Sequence, residues 1–280
     1  MAPHYEQTRD AANAALLADL STLLRSEKHT DLKIKLGDYI WNVHKAIVCA
    51  RSDFFAKACE GKFKEANDGV VEIHDDNPTV IDKMIHYIYK TEYEDADTEL
   101  APVLLNVRIV AAAEKYFVKF LAPLAVSKLN YHVEDSWETE AFADAIAEAY
   151  TTTHDSDREL RDTLLKVVVE HAHELFDKVK TQYAHFQEMA AKTPSFSMEI
   201  AASLAKIAKE YEDEKEHEDK LTYWCPGDPC RERFMSSVKE RQILEWSCGI
   251  CGWSQGPASY EFWQEYAATE LPVVEPTDDD

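Results

Sequence analysis

Glycine is scarce in this chain, with 7 residues in 280. That scarcity nearly excludes a glycine-rich phosphate-binding loop, and neither G-x-G-x-x-G nor G-x-x-x-x-G-K occurs. Positive charge is also in deficit: 30 Lys and Arg stand against 53 Asp and Glu, a formal net charge of −23. Residues 31–130 are nearly balanced, with 13 basic and 16 acidic residues, whereas residues 131–280 hold 14 and 33. A field of that sign repels phosphate backbones, so nucleic-acid binding by charge is not expected. No apolar run approaches the ~20 residues of a membrane-spanning helix. The first 25 residues carry Asp10 and Asp19 and lack the apolar core of a signal peptide. The expectation is an intracellular protein, cytoplasmic or nuclear. Its 6 cysteines then read as thiols or metal ligands rather than disulfides.

What is present is hydrophobic periodicity that changes along the chain. Leu16, Leu20, Leu23 and Leu24 share one face of a helix over 11–25. Leu32, Ile34 and Leu36 then alternate with Lys33 and Lys35, the period of a half-buried strand. Gly37-Asp38 makes a turn, and Tyr39 to Val43 returns as the second strand of a hairpin. Ala46, Ile47 and Ala50 restart a helical pattern. Ser52 can cap a following helix in which Phe54, Phe55, Ala58 and Cys59 face inward. Val70 to Ile73 forms a short strand. Asn77-Pro78 opens a helix with an apolar stripe of Val80, Ile81, Met84, Ile85 and Ile88. Two further helices fit 101–116 and 117–131. The fold class is α+β, and a sheet this small needs helices to cover it.

That order, with these residues, resembles the BTB/POZ family. The matching stretches are Asp31-Leu32, His44 to Val48, Ser52-x-Phe54-Phe55, Phe63-Lys64-Glu65, Val71 to Ile73 with Asp75-Asp76, Tyr87 to Tyr89 with Tyr93, and Ala111 to Tyr116. Each motif is short, and their co-occurrence in order over residues 30–131 carries the resemblance. Asp157 to Asp162 followed by Val167 to Val169 is similar to fungal BTB proteins in particular. There Leu160, Leu164, Val167, Val168, His171 and Leu175 line one face of a helical extension. The organisation expected is an N-terminal helix (1–29), a BTB/POZ domain (30–131), a helical extension (132–221), a cysteine-rich element (222–266) and an acidic disordered tail (267–280).

The resemblance implies a protein-interaction module rather than an enzyme, and a homodimer with itself as first partner. It places Asp31 and Lys45 in a charged pocket at the dimer interface; the alternative is that Asp31 caps the strand and Lys45 is solvated. Many such dimers exchange an N-terminal strand, but residues 1–10 show no strand pattern, which leaves the helix bearing Leu16 and Leu20 as the dimer surface. The resemblance also implies a second partner, a cullin scaffold, with the protein as a ubiquitin-ligase adaptor. The apolar-x-Glu pattern of cullin binders is met by Phe63 and Glu65; alternatively Phe63 plugs the edge of the core. A scaffold or a transcription-associated regulator without a ligase role is the competing function. Acidity opposes the regulator, since Glu232, Glu240 and Glu245 sit among Arg231, Arg233, Lys239 and Arg241.

No serine or cysteine has a legible base partner. His44, His74 and His86 read as core or capping residues, and Cys49 and Cys59 as small buried hydrophobes. Ile200, Leu204, Ile207 and Tyr211 follow a heptad spacing for about two heptads, which reads as packing against the preceding helices. Two cysteine pairs are different in kind. Cys225 and Cys230 are spaced C-x4-C, Cys248 and Cys251 C-x2-C, and Pro or Gly lies within each pair. Four thiolates so spaced suit a structural, closed zinc site of ribbon type; free thiols or a redox pair are the alternatives.

Overall fold

The structure is a computed structural model of the chain. It describes residues 2–60, 68–96, 98–153 and 158–218, and the strands at 221–224, 233–236, 244–247 and 254–258, with side chains described from 7 to 212. Two compact units result, residues 1–201 and 202–280.

The first unit begins with α1 (Ala2–Ser26), which runs nine residues further toward the N-terminus than the leucine stripe predicts. Leu20 and Leu24 pack on the core while Leu16 stays exposed. The hairpin follows the sequence residue by residue: β1 (Leu32–Leu36) pairs antiparallel with β2 (Tyr39–Val43), Leu32 opposite Val43 and Leu36 opposite Tyr39. Gly37, at φ +56°, supplies the left-handed turn. Leu32, Ile34 and Leu36 are buried and the lysines between them face outward. A crossover through α2 (Lys45–Arg51) and α3 (Asp53–Cys59) then delivers β3 (Val70–Glu72), parallel to β1 with Ile34 beside Val71. The sheet order is β2-β1-β3.

Helices cover this sheet. Asn77 caps α4 (Pro78–Lys90) by accepting from the amides of Thr79 and Val80. The α4 stripe buries Val80, Ile81, Met84, Ile85 and Ile88, as its spacing predicts. The next helix, α5 (Pro102–Lys115), is apolar nearly all round and buried accordingly, with α6 (Leu121–His132) packed on it. The loop between α4 and α5 is pinned from inside. Tyr93 donates to Asn106 Oδ1 at 2.5 Å, Asn106 Nδ2 donates to Asp95, and Asp95 also meets His132 Nε2 at 3.1 Å. Asn106 is fully buried, so each of these polar atoms depends on the others.

Helices α7 (Glu140–Thr152), α8 (Arg158–Glu170), the short α9 (Ala172–Leu175), α10 (Ala184–Lys192) and the start of α11 (Pro194–Glu218) continue the same unit. Leu160, Leu164, Val167, Val168 and Leu175 are buried as the stripe predicts, while His171 stacks on Trp137 with ring centroids 4.0 Å apart. The arginines of the 157–162 motif have an architectural task. Buried Arg161 donates to the Thr153 carbonyl, closing the C-terminus of α7, and lies 4.6 Å over the Tyr150 ring. Arg158 and the Tyr150 hydroxyl both reach Glu199 of α11, at 2.9 and 2.8 Å. Burial raises the Glu199 carboxyl, but these hydrogen bonds outweigh it and hold the group below the ordinary carboxylate range.

Three expectations change here. No helix begins at 117, because Phe117 and Phe120 are both left-handed (φ 48° and 62°); residues 117–120 form an elbow. The heptad-spaced stripe is covered at Ile200, whereas Leu204, Ile207 and Tyr211 are exposed. His74 is also exposed at the end of β3, and only its carbonyl is engaged, by Lys115. The second unit contains two antiparallel hairpins, β4 (Leu221–Trp224) with β5 (Arg233–Ser236) and β6 (Leu244–Ser247) with β7 (Ser254–Ala258). No helix among the described residues is long and apolar enough to cross a membrane.

Candidate functional site

The elbow at 117–120 is braced where it meets the N-terminus of α3. Ser52 caps α3 by accepting from the Phe55 amide, and its hydroxyl donates to the Tyr116 carbonyl at 2.6 Å. The Asp53 amide donates to the Phe117 carbonyl and the Lys119 amide to the Arg51 carbonyl, at 3.4 and 3.3 Å. Tyr87 Oη donates to the Lys119 carbonyl at 3.1 Å, and Lys119 Nζ lies 3.5 Å from Asp53. Beneath, the Phe55 and Tyr116 rings stack 5.7 Å apart, and Phe54 meets both edge-on.

This bracing holds a conformation that L-residues disfavour. A left-handed phenylalanine costs about 1–2 kcal/mol, and the elbow contains two. Val118 between them is buried, while Phe117 is 60% exposed and Phe120 77% exposed. Burial therefore does not explain the aromatic identity of these two residues. The elbow therefore presents two aromatic rings to solvent on a turn held by hydrogen bonds.

The other expected site residues are placed as follows. Asp31 Oδ1 accepts from the Lys45 backbone amide at 2.7 Å and so caps α2. The Lys45 amine goes to the Cys59 carbonyl at 3.0 Å, at the far end of α3. The two residues therefore meet through backbone and carboxylate, not as an ion pair of side chains. Leu16 is exposed on α1 and Leu20 half-buried beneath it, with α1 lying on α4. Phe63 and Glu65, in the segment that follows α3, lie outside the described residues, as do Cys225, Cys230, Cys248 and Cys251. The tail expected at 267–280 lies outside them too. Phe117 and Phe120 were missed as site residues, because a helical reading of 117–131 makes them ordinary stripe members.

The titratable groups singled out in the sequence are placed as follows. His44 is buried between the Tyr89 hydroxyl (2.8 Å from Nδ1) and the Lys28 carbonyl (2.7 Å from Nε2). Burial and the neighbouring Cys59 push the Cys49 thiol up to about 12, away from the thiolate a nucleophile needs. A cleft of 720 Å³ between the 75–78 loop, α5 and α7 contains two ion pairs, Lys115 with Asp76 at 2.7 Å and Arg108 with Glu148 at 3.2 Å, beside Asp75 and Glu114. No group of three or more His, Cys, Asp and Glu side chains is placed to hold a metal among the described residues.

A small three-stranded sheet enclosed by helices is the architecture of residues 32–132. The BTB/POZ domain model matches residues 20–132, and the chain contains a BTB/POZ domain over that stretch. Among curated relatives, human Rabankyrin-5 is 35% identical over 89 residues, 32% of this chain and 7% of that protein. Mouse TD and POZ domain-containing protein 5 is 31% identical over 135 residues, 46% of this chain and 37% of that protein. Mouse Germ cell-less protein-like 2 is 29% identical over 84 residues, 30% of this chain and 16% of that protein. The matches thus span well under half of each relative's own length, and these relatives are mammalian rather than fungal. Among solved structures, the BTB domain of zebrafish PATZ1 aligns with 44% of this chain and 94% of its own at 15% identity and a TM-score of 0.36.

Proposed function

We propose that this chain is an adaptor that docks a cullin-type scaffold on the face built by α3 and the 117–120 elbow, so joining the scaffold to whatever the remaining helices and the C-terminal unit hold. One observation carries this reading: two exposed phenylalanines on a strained, fully braced turn, beside the helix that leads into Phe63 and Glu65. Helix α3 has seven residues, about 10 Å at 1.5 Å per residue, short enough for one partner helix to reach from the elbow to its far end; Phe63 and Glu65 follow that end in sequence. In this reading the protein works inside the cell as a homodimer, with exposed Leu16 of α1 in the self-contact.

The test is co-elution of the purified chain with a cullin N-terminal domain. Binding that is lost on Phe63→Ala, Glu65→Lys and Phe117→Ala, with unfolding curves unchanged, supports the adaptor. No binding at tens of micromolar leaves a scaffold that acts by self-association alone.

A structural zinc ion in the C-terminal unit is part of the same proposal. The support is placement in the chain: Cys225 and Cys230 lie in the connection between β4 and β5, and Cys248 and Cys251 in that between β6 and β7. Two hairpins that each carry a cysteine pair in the connection have the chain order of a four-thiolate site. Metal analysis of the purified protein decides it: about one zinc per chain is expected for a four-thiolate site, and less than half would end the proposal.

A further inference from the structure

We propose that the outer edge of β2 is a second self-association surface, where two copies of this chain join their sheets antiparallel about a twofold axis at Trp41. The inference begins with hydrogen-bond accounting. Lys33 N donates to the Gly69 carbonyl and the Lys35 carbonyl accepts from Ile73, so Lys33 and Lys35 turn their backbone groups toward β3. Backbone groups alternate sides along a strand, so Leu32, Ile34 and Leu36 bond to Val43, Trp41 and Tyr39 of β2. Ile40 and Asn42 must then point theirs away from the sheet. β2 is the edge strand, and among the described residues the amides and carbonyls of Ile40 and Asn42 have no hydrogen-bond partner. Tyr39 and Ile40 are both more than half exposed.

The occupant follows from the spacing of those free groups. They lie one residue either side of Trp41. In an antiparallel pair of identical strands centred there, Ile40 of each copy exchanges two hydrogen bonds with Asn42 of the other, and every free group is satisfied. The central Trp41 pair is then the non-hydrogen-bonded kind, in which side chains approach most closely. Tyr39 and Trp41 already stack within one copy, 6.2 Å apart and 18° from parallel, so the pairing extends an aromatic ladder along one face. That face opens onto a 410 Å³ groove lined by Pro78, Thr79, Asp82, Lys83, Thr98 and Glu99, which leaves room for the incoming rings. Charge favours the same occupant. Tyr39-Ile40-Trp41-Asn42-Val43 carries no charge in a chain of net −23, so the paired strands themselves place no like charges opposite each other. Exposed edges of this kind are blunted in monomers by lysine or proline, and β2 has neither.

Sedimentation velocity over a concentration series, with the full chain, tests this. The variants are Ile40→Pro, which removes an outward amide, and Ile40→Lys, which charges the edge. Each is read with and without Leu16→Asp on α1, which keeps this contact separate from the α1 self-contact. The expected result is that Leu16→Asp alone still dimerises. Adding either Ile40 change should raise the dissociation constant by about tenfold or more, and the amides of Ile40 and Asn42 should be protected from exchange only at high concentration. Unchanged masses for both Ile40 variants, with thermal unfolding also unchanged, would overturn the proposal.

Discussion

Ser52 and Tyr116 are 64 residues apart in sequence and share a 2.6 Å hydrogen bond, hydroxyl to carbonyl. The same Ser52 oxygen accepts from the Phe55 amide, so one fully buried hydroxyl both starts α3 and closes α5 onto the elbow. Ser52→Ala removes a cap worth ~1 kcal/mol and strands a buried carbonyl, at ~1–3 kcal/mol. A loss of about 2–4 kcal/mol is expected, seen as a lower urea midpoint with unchanged slope. A change below about 0.5 kcal/mol, the scale of an ordinary surface substitution, would mean the cap and the elbow are not coupled.

Phe120 separates binding from folding. Its ring is mostly in water and its backbone is left-handed, so Phe120→Gly removes strain while giving up little burial. Thermal unfolding should show stability unchanged or raised by about 1 kcal/mol, while partner capture falls. Destabilisation of 2 kcal/mol or more, the range of core truncations, would show that the ring packs on the protein itself.

Arg161 ties the helical extension together. Arg161→Met leaves the Thr153 carbonyl without its donor and removes the cation above Tyr150. A cost of about 2–4 kcal/mol is expected, felt locally. Hydrogen exchange should accelerate in α7 and α8 while the 20–132 domain keeps its protection. Uniform acceleration would make the two regions one cooperative unit.

Glu199 should make the extension acid-sensitive. Its folded pKa lies below the ordinary 4.5, so its contribution is complete above about 4.5 and is lost as pH falls through the folded value. Wild type should therefore exceed Glu199→Gln in stability at neutral pH by an amount that shrinks below pH 4.5. Unfolding midpoints across pH 7 to 3 check this, and a constant difference would remove Glu199 from the account.

The legible parts of this fold were those in which side-chain period and backbone agree. Leu32, Ile34 and Leu36 alternate and the strand forms there; Asn77-Pro78 caps and the helix starts there; the α8 stripe is buried where it was drawn. The elbow was illegible because its left-handed residues are phenylalanines, whereas glycine or asparagine is the local signal for that conformation. Contacts with Arg51, Ser52, Asp53 and Tyr87, far away in sequence, brace it. Asp31 and Lys45 were visible as a pair, but which atoms would meet was not. That the amide rather than the amine of Lys45 reaches Asp31 depends on where α3 ends, at the Cys59 carbonyl. The role of Arg158 and Arg161 was hidden for the same reason: Glu199 is 41 residues beyond Arg158.

The central claim is that the α3 and elbow face receives a partner. Calorimetric titration of the full chain with a cullin N-terminal domain tests it most directly, comparing wild type with Phe117→Ala and, as a control outside the elbow face, Leu16→Asp on α1. The account predicts binding that weakens by about tenfold or more for Phe117→Ala, the loss of one hot-spot anchor, while Leu16→Asp leaves the affinity per chain unchanged. Equal affinity for wild type and Phe117→Ala, or loss only with Leu16→Asp, would contradict it.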